Sequence, residues 1–256
     1  MAATSVDHFS NGRLILGLGS SHKVQVEPDH GIPYSKPVQR LRETVDIVRT
    51  LLRDGQVSCQ GHEINIDSFD LWFEPIRREI PIYLAAVFPQ MLEICGELAQ
   101  GTILDWSTLE AGRKAAEHIA IGARRAGRRP EDIDIVSLLP CSVSENEGEA
   151  MDRLRPTAAF YAGFFPRYNQ LMAQSGFPEE AKTVRVAWLK GDHEGAAKLV
   201  PDAMIQALGI VGPAAQSRER LQAYRESGIW LPVISPAASG PDGKESVMEA
   251  KRACAP

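Results

Sequence analysis

The sequence predicts an α/β fold in which parallel strands alternate with covering helices. Short apolar runs at Leu14-Ile15-Leu16, Ile80–Ala86, Gly101–Leu104, Ile133–Leu139 and Trp230–Ile234 read as strands, and the nearly continuous run Ile80–Ala86 reads as one buried on both faces. Stripes of apolar residues at three- and four-residue steps lie between them, and glycine or proline marks most junctions. Five β-α repeats of this kind fit either a doubly wound sheet or part of a (β/α)8 barrel, and periodicity does not separate the two. The 256 residues, 44% of them hydrophobic, suffice for one large domain, the simplest reading.

In order, Met1–Ser10 is the tail of an element, and Ser10-Asn11-Gly12 ends it. The opening strand then runs into Gly17 and Gly19. Pro37 suits the first position of a helix whose buried stripe is Val38, Leu41, Val45, Val48 and Leu52, closed by Asp54-Gly55. Residues 56–79 read as an insertion: Val57–Ile66 alternates around Gly61 like a hairpin, and Trp72, Phe73 and Pro75 suggest a packed loop. Pro81 falls near the start of its strand, where a missing donor is tolerated, and Pro89 opens the next helix. Ser107 and Glu110 match a capping box for a helix that Gly127 and Pro130 end. Pro140-Cys141-Ser142 closes the strand after it. Residues 145–189 are mostly helical, with breaks expected at Pro156, Gly163–Pro166 and Gly176-Phe177-Pro178. A helix from Gly212-Pro213 to Ser227 precedes the last strand, and residues 237–256 are expected to form a loose tail.

The net charge of −5 argues against a nucleic-acid face, and the Arg124–Arg129 cluster reads as a solvated helix end. No apolar run is long enough to span a membrane, and the start lacks the layout of a signal peptide. A cytoplasmic protein is expected. Cys59, Cys95, Cys141 and Cys254 form no C-x-x-C pair and the six histidines show no ligand spacing, so reduced thiols and no metal site are expected.

The stretch most suggestive of a ligand is Gly17-Leu18-Gly19-Ser20-Ser21-His22-Lys23, where a buried strand delivers a turn with few side chains over its amides. Such a turn suits a phosphate or a flavin-type ring. Glycines after a strand more often serve a tight turn alone.

Taken with Ser10–Gly19, Gly31-Ile32-Pro33-Tyr34, Lys36-Pro37, Arg42-Glu43, Ile80–Ala86, Pro89-x-Met91-Leu92, Gly96-Glu97-Leu98-Ala99 and Gly101–Leu104, the chain resembles the luciferase-like oxidoreductases. The branch it resembles includes methylenetetrahydromethanopterin reductase and other enzymes dependent on the deazaflavin coenzyme F420. The resemblance covers roughly residues 1–235. It implies a (β/α)8 TIM-barrel type of fold that is incomplete, lacking about the first three β-α units, or roughly 80 to 100 residues. The implied domain is 1–236, and its open sheet edges would favour a homo-oligomer. The chain departs from the family's pattern at Phe88, where a glycine is usual, and at Gln100-Gly101, where Asp-Gly is usual.

The resemblance further implies hydride transfer between coenzyme F420 and a small organic substrate. FMN-dependent monooxygenation is the alternative, and a catalytically dead relative acting as a binding or structural subunit is the third reading. Ligands of such folds sit at the C-terminal strand ends, so Gly17, Gly19, Ser20, Ser21 and His22, then Ala85, Ala86 and Pro89, then Asp105, Trp106 and Ser107 are the expected cofactor contacts. Pro140–Ser142 should face them. His22 is the candidate catalytic residue, a donor to the cofactor or the hydride acceptor, against the plainer reading of a loop histidine bonded to backbone. Asp105 is either a ligand contact or a cap, Trp106 a ligand contact or packing at the barrel mouth, and Ser107 a cap. No acid-base dyad is required.

Overall fold

Asp7, almost completely buried, organises the start of the chain. It lies on α1 (Ala2–Phe9), and its carboxylate accepts Arg77 Nε at 3.0 Å, Arg77 Nη2 at 2.6 Å and the Leu14 amide at 3.2 Å. The bidentate pair satisfies a charge that burial would otherwise penalise. This computed structural model describes residues 1–238 and 243–255. The chain divides into two compact units, Met1–Ile103 with Glu117–Asp134, and Leu104–Ala116 with Ile135–Pro256.

In the first unit β1 (Leu16–Leu18) starts two residues later than its apolar run, and α2 (Lys23–His30) follows. That helix is not anticipated by the sequence reading, because Pro28 lies inside it and no apolar stripe marks it. Gly31 ends it in the left-handed region at φ 65°, where glycine carries no steric penalty. Then α3 (Pro37–Asp54) forms over the expected span and buries Leu41, Val45 and Leu52.

The insertion is an antiparallel hairpin, β2 (Gln56–Gln60) with β3 (Asn65–Asp70). Its turn hangs on Glu43 of α3, whose carboxylate accepts the amides of His62, Glu63 and Ile64 at 2.9 to 3.0 Å and Gln39 Nε2 at 2.8 Å. The Gln39 bond first, and the three amides with it, hold this carboxyl down at about 2. Gly61 fits the turn because a Cβ there would lie 2.5 Å from Glu43 Oε2.

Parallel pairing places β4 (Ile82–Ala85) between β1 and β5 (Gly101–Asp105), with Gly17 opposite Tyr83 and Tyr83 opposite Gly101. Between them runs α4 (Pro89–Leu98), and α5 (Leu109–Arg125) follows β5. A Cβ on Gly96 of α4 would lie 2.1 Å from the Ile119 carbonyl oxygen, and one on Gly122 of α5 would lie 1.8 Å from that of Glu93. The two backbones therefore touch, a contact only glycine permits. The arginines beyond are paired: Arg125 reaches Glu93 at 2.9 Å and Glu97 at 2.8 Å, Arg128 donates to the Gly96 carbonyl, and Arg129 pairs with Asp132.

In the second unit the amide of Ala111 bonds Thr108 Oγ1 at 3.0 Å, so Thr108 and not Ser107 caps α5. The strand expected to close at Pro140 continues as β6 (Asp134–Val143), because both of its sides are paired. Cys141, Ser142 and Val143 pair with β7 (Ile210–Gly212), a short strand absent from the sequence reading, and Val136–Cys141 with β8 (Leu231–Pro236), both parallel.

Helices α6 (Glu147–Phe164), α7 (Pro166–Gln174), α8 (Pro178–Leu189), α9 (His193–Lys198) and α10 (Asp202–Leu208) fill the segment before β7. The break expected at Pro156 does not occur. Leu154, Ala158, Ala159 and Ala162 are buried on both sides of it, and their packing offsets the lost backbone bond. Breaks do fall at Pro166 and Pro178. After α11 (Ala214–Glu226) and β8 comes α12 (Lys244–Cys254), in place of a loose tail. Ala250 and Ala253 are buried on it, against β8 and α11; residues 239–242 of that expected tail and Pro256 lie outside the described residues. No helix among the described residues is long and apolar enough to cross a membrane.

Candidate functional site

At the end of β1 the chain crosses the end of β4 at close range. A Cβ on Gly19 would sit 3.1 Å from Ala85 Cβ, tighter than ordinary contact, so the pair Gly19 and Ala85 lets the loop leave the strand here. Ser21 then takes φ 55°, an uncommon left-handed conformation for a residue with a Cβ, and turns the chain into α2. His22 is the N-cap residue, and its carbonyl accepts the amides of Gln25 and Val26 at 3.0 and 2.9 Å.

The segment after α2 folds back over this loop. Tyr34 donates its phenol hydroxyl to the Ser21 carbonyl at 3.2 Å and lies 3.4 Å from Ser20 Oγ, while its amide bonds Glu27 Oε1 at 3.2 Å. Tyr34 thereby straps the glycine loop to α2. Between strap and loop lies a cavity of about 300 Å³. Leu18, Val26, Ile32, Pro33, Pro37 and Leu41 line it with apolar surface, and Gly19, Ser20, Ser21, Tyr34, Ser35 and Arg40 supply polar edges.

Of the expected contacts, Gly19, Ser20 and Ser21 line this cavity. Gly17 does not, since it lies within β1 opposite Tyr83. Ala85 supports the loop from beneath. Ala86 is buried and donates its amide to the Ile103 carbonyl at 3.1 Å, and Pro89 is the first residue of α4 behind Phe88. Apolar walls with polar edges suit a planar aromatic group with polar substituents, at the small end of ligand cavities. The part of F420 or FMN that carries the chemistry is a planar system of three fused rings with polar edges, so the lining fits it in kind.

The second unit holds a polar cluster around Asp105. Its carboxylate accepts the Tyr168 hydroxyl at 2.6 Å and the Trp106 amide at 3.0 Å. Burial raises the carboxyl to about 6 although both donors oppose the shift, and burial with the adjacent carboxylate pushes the Tyr168 phenol well up. A group poised near neutrality in this way can hold or release a proton under ordinary conditions.

Trp106 is 3% exposed and has φ 49°, a strained conformation for a bulky residue. Its ring packs at 5.0 Å on Tyr161, which meets Tyr168 edge-on at 4.7 Å. Ser107 is buried, and its carbonyl accepts the hydroxyl of the fully buried Tyr224 at 2.8 Å. Asp105 thus caps no helix; it fixes the turn and holds Tyr168.

Sequence reasoning gave Tyr34 no role beyond its place in the Gly31-Ile32-Pro33-Tyr34 motif, and it did not single out Tyr161 or Tyr168. A signal for the last two exists: Tyr161, Phe165 and Tyr168 recur at helical spacing, although Pro166 interrupts the helix that would align them.

Comparison with known proteins assigns the chain to a family. The profile of luciferase-like monooxygenases matches residues 1–230. The 5,10-methylenetetrahydromethanopterin reductase of Archaeoglobus fulgidus is 31% identical over 251 residues, spanning 96% of this chain and 74% of the reductase. A putative coenzyme F420-dependent oxidoreductase of Mycobacterium tuberculosis is 26% identical over 254 residues, spanning 92% of this chain and 73% of that protein. The F420-dependent tetrahydromethanopterin reductase of Methanopyrus kandleri superposes with a TM-score of 0.83 at 26% identity, over 96% of this chain and 74% of that one. The parallel β/α fold is the one these enzymes share, and the chain belongs to the luciferase-like monooxygenase family.

Proposed function

We propose that this chain is an oxidoreductase that binds coenzyme F420 at the Gly19–Tyr34 cavity and exchanges a hydride with a small organic substrate. The observation that carries the reading is the 31% identity to a methylenetetrahydromethanopterin reductase along 96% of the chain. The strapped glycine loop supports it, because it offers an apolar slot with hydroxyls at its edge. Bound F420 supplies the two-electron hydride chemistry. The protein's part is to hold the ring and exclude water. In this reading Gly19 leaves room for close approach, Ser20 and Ser21 present backbone and hydroxyl groups, and Tyr34 keeps the loop in register. Ala85 and Ala86 carry the adjoining strand end, Pro89 opens the helix after it, and His22 remains the candidate donor at the loop's exit. Asp105 and Tyr168 hold a proton in the second unit, with Trp106 and Ser107 fixing the turn that aims them.

The protein is further proposed to be cytoplasmic and to assemble as a homo-oligomer, since Phe9 and Trp72 are 90% and 83% exposed and such apolar surface favours association. A monomer mass in light scattering overturns the oligomer.

The test of function is anaerobic mixing with reduced F420 and a panel of small organic acceptors, following the return of the oxidised chromophore. Acceptor-dependent oxidation of F420 is expected. No reaction with F420 combined with oxygen-dependent turnover of reduced FMN overturns the proposal and gives the monooxygenase reading.

A further inference from the structure

Cys141 and Cys254 stand 113 residues apart in sequence, yet their sulfurs lie 3.9 Å apart. Both are free thiols. Cys141 is fully buried near the end of β6, opposite Ile210 of β7 and Pro236 of β8, and its carbonyl accepts the Ala237 amide at 2.8 Å. Its backbone is therefore fixed from two sides. Cys254 is the last residue of α12 and is partly exposed. Arg218 of α11 steadies that last turn by donating to the Ala253 carbonyl at 3.2 Å. To bond, the sulfurs must close by about 2 Å, a distance that side-chain rotation and a small shift of a helix end supply.

We propose that Cys141 and Cys254 form a reversible disulfide that fastens α12 to β6, and that it arises by exchange with a small-molecule disulfide such as oxidised glutathione. The Cys254 thiolate attacks one sulfur of the small disulfide, breaks its S–S bond and releases one thiol. Cys141, deprotonated in its turn, attacks Cys254 Sγ in the mixed disulfide and releases the second thiol. The two cysteines give up two electrons and two protons, and the small disulfide takes them up as two thiols.

The surroundings favour this order. The Cys141 thiol first, and the Arg218 guanidinium with it, hold Cys254 below the ordinary thiol value, whereas the neighbouring sulfur and burial push Cys141 up. Cys95 does not compete, because it is buried beside Thr102 and its thiol is pushed up to about 12. Reversible pairs of this kind act as redox sensors where thiols are otherwise kept reduced.

The test uses the full chain in a Cys59→Ser background, which removes the other partly exposed thiol. After incubation with excess oxidised glutathione at neutral pH, the intact mass should fall by two hydrogens. A digest without reductant should then contain a cross-linked pair of peptides carrying Cys141 and Cys254, which dithiothreitol separates. The oxidised protein should also melt several degrees higher than the reduced one. Introducing Cys254→Ser into the same background should abolish all three changes. A glutathionyl adduct that persists on Cys254 without a cross-link overturns the proposal, as does loss of two hydrogens in the Cys254→Ser protein.

Discussion

Replacing Asp105 by Asn separates the charge of this residue from its shape. In the fold its carboxyl titrates at about 6, against an ordinary 3.8, because burial penalises the ionised form more than Tyr168 and the Trp106 amide stabilise it. The folded chain therefore binds this proton more tightly than the unfolded chain does. Stability is greatest below the ordinary value and falls as pH rises from about 4 to about 6, after which the contribution is constant. A shift of about two units corresponds to about 3 kcal/mol at 1.36 kcal/mol per unit. Asn is neutral throughout, and it retains an oxygen for the Trp106 amide and a polar group for the Tyr168 hydroxyl. Every other titrating group is common to both proteins, so the difference in unfolding free energy should move by about 2 kcal/mol of that total in favour of the Asp105→Asn protein between pH 4 and pH 7, the unfolded carboxyl being already partly ionised at pH 4. Urea unfolding at half-unit pH steps measures it. Tyr168→Phe removes the stronger donor and should enlarge the wild-type slope. A difference that stays flat with pH would refute the reasoning, because it would mean that Asp105 titrates equally in both states.

Two further substitutions probe the supporting packing. Gly122→Ala drives a Cβ into the Glu93 carbonyl, forces α4 and α5 apart and should cost about 3 kcal/mol in thermal or urea unfolding, whereas Gly127→Ala, with open space around it, should cost only about 1 kcal/mol for its left-handed φ. Equal losses would show that the helix crossing is not tight. Tyr224→Phe leaves the buried Ser107 carbonyl without its hydroxyl donor and should destabilise by about 1 to 2 kcal/mol at every pH; a change below about 0.5 kcal/mol would mean that the bond contributes nothing.

The elements that sequence made legible are those whose residues answer to one local rule. α3 begins at Pro37 and ends before Gly55, and its stripe of Leu41, Val45 and Leu52 is unmistakable in one dimension. The hairpin of 56–70 and the breaks at Pro166 and Pro178 follow from turn chemistry in the same way. The features that escaped depend on partners far along the chain. β7 is three residues long and exists because it pairs with Cys141–Val143, and β6 passes Pro140 for the same reason. α6 passes through Pro156 because buried alanines on either side hold it. At the candidate site the glycine loop was visible from Gly19, Ser20 and Ser21. Its strap was not, because the bond from Tyr34 to Ser21 depends on the path of α2. Asp105 was visible as a polar residue ending a strand, but its role comes from Tyr168, 63 residues on.

The central claim is that the loop at Gly19 receives the ring of a deazaflavin, and the most direct measurement is an equilibrium fluorescence titration of F420 and FMN into wild-type protein and Gly19→Val. A branched side chain at this position meets Ala85, so the loop or the end of β4 must shift to admit it. The account predicts saturable binding with F420 tighter than FMN, and for Gly19→Val an F420 affinity weaker by about tenfold or more with unchanged circular dichroism. Equal F420 affinity in the two proteins, or tighter binding of FMN than of F420 by the wild type, would contradict it.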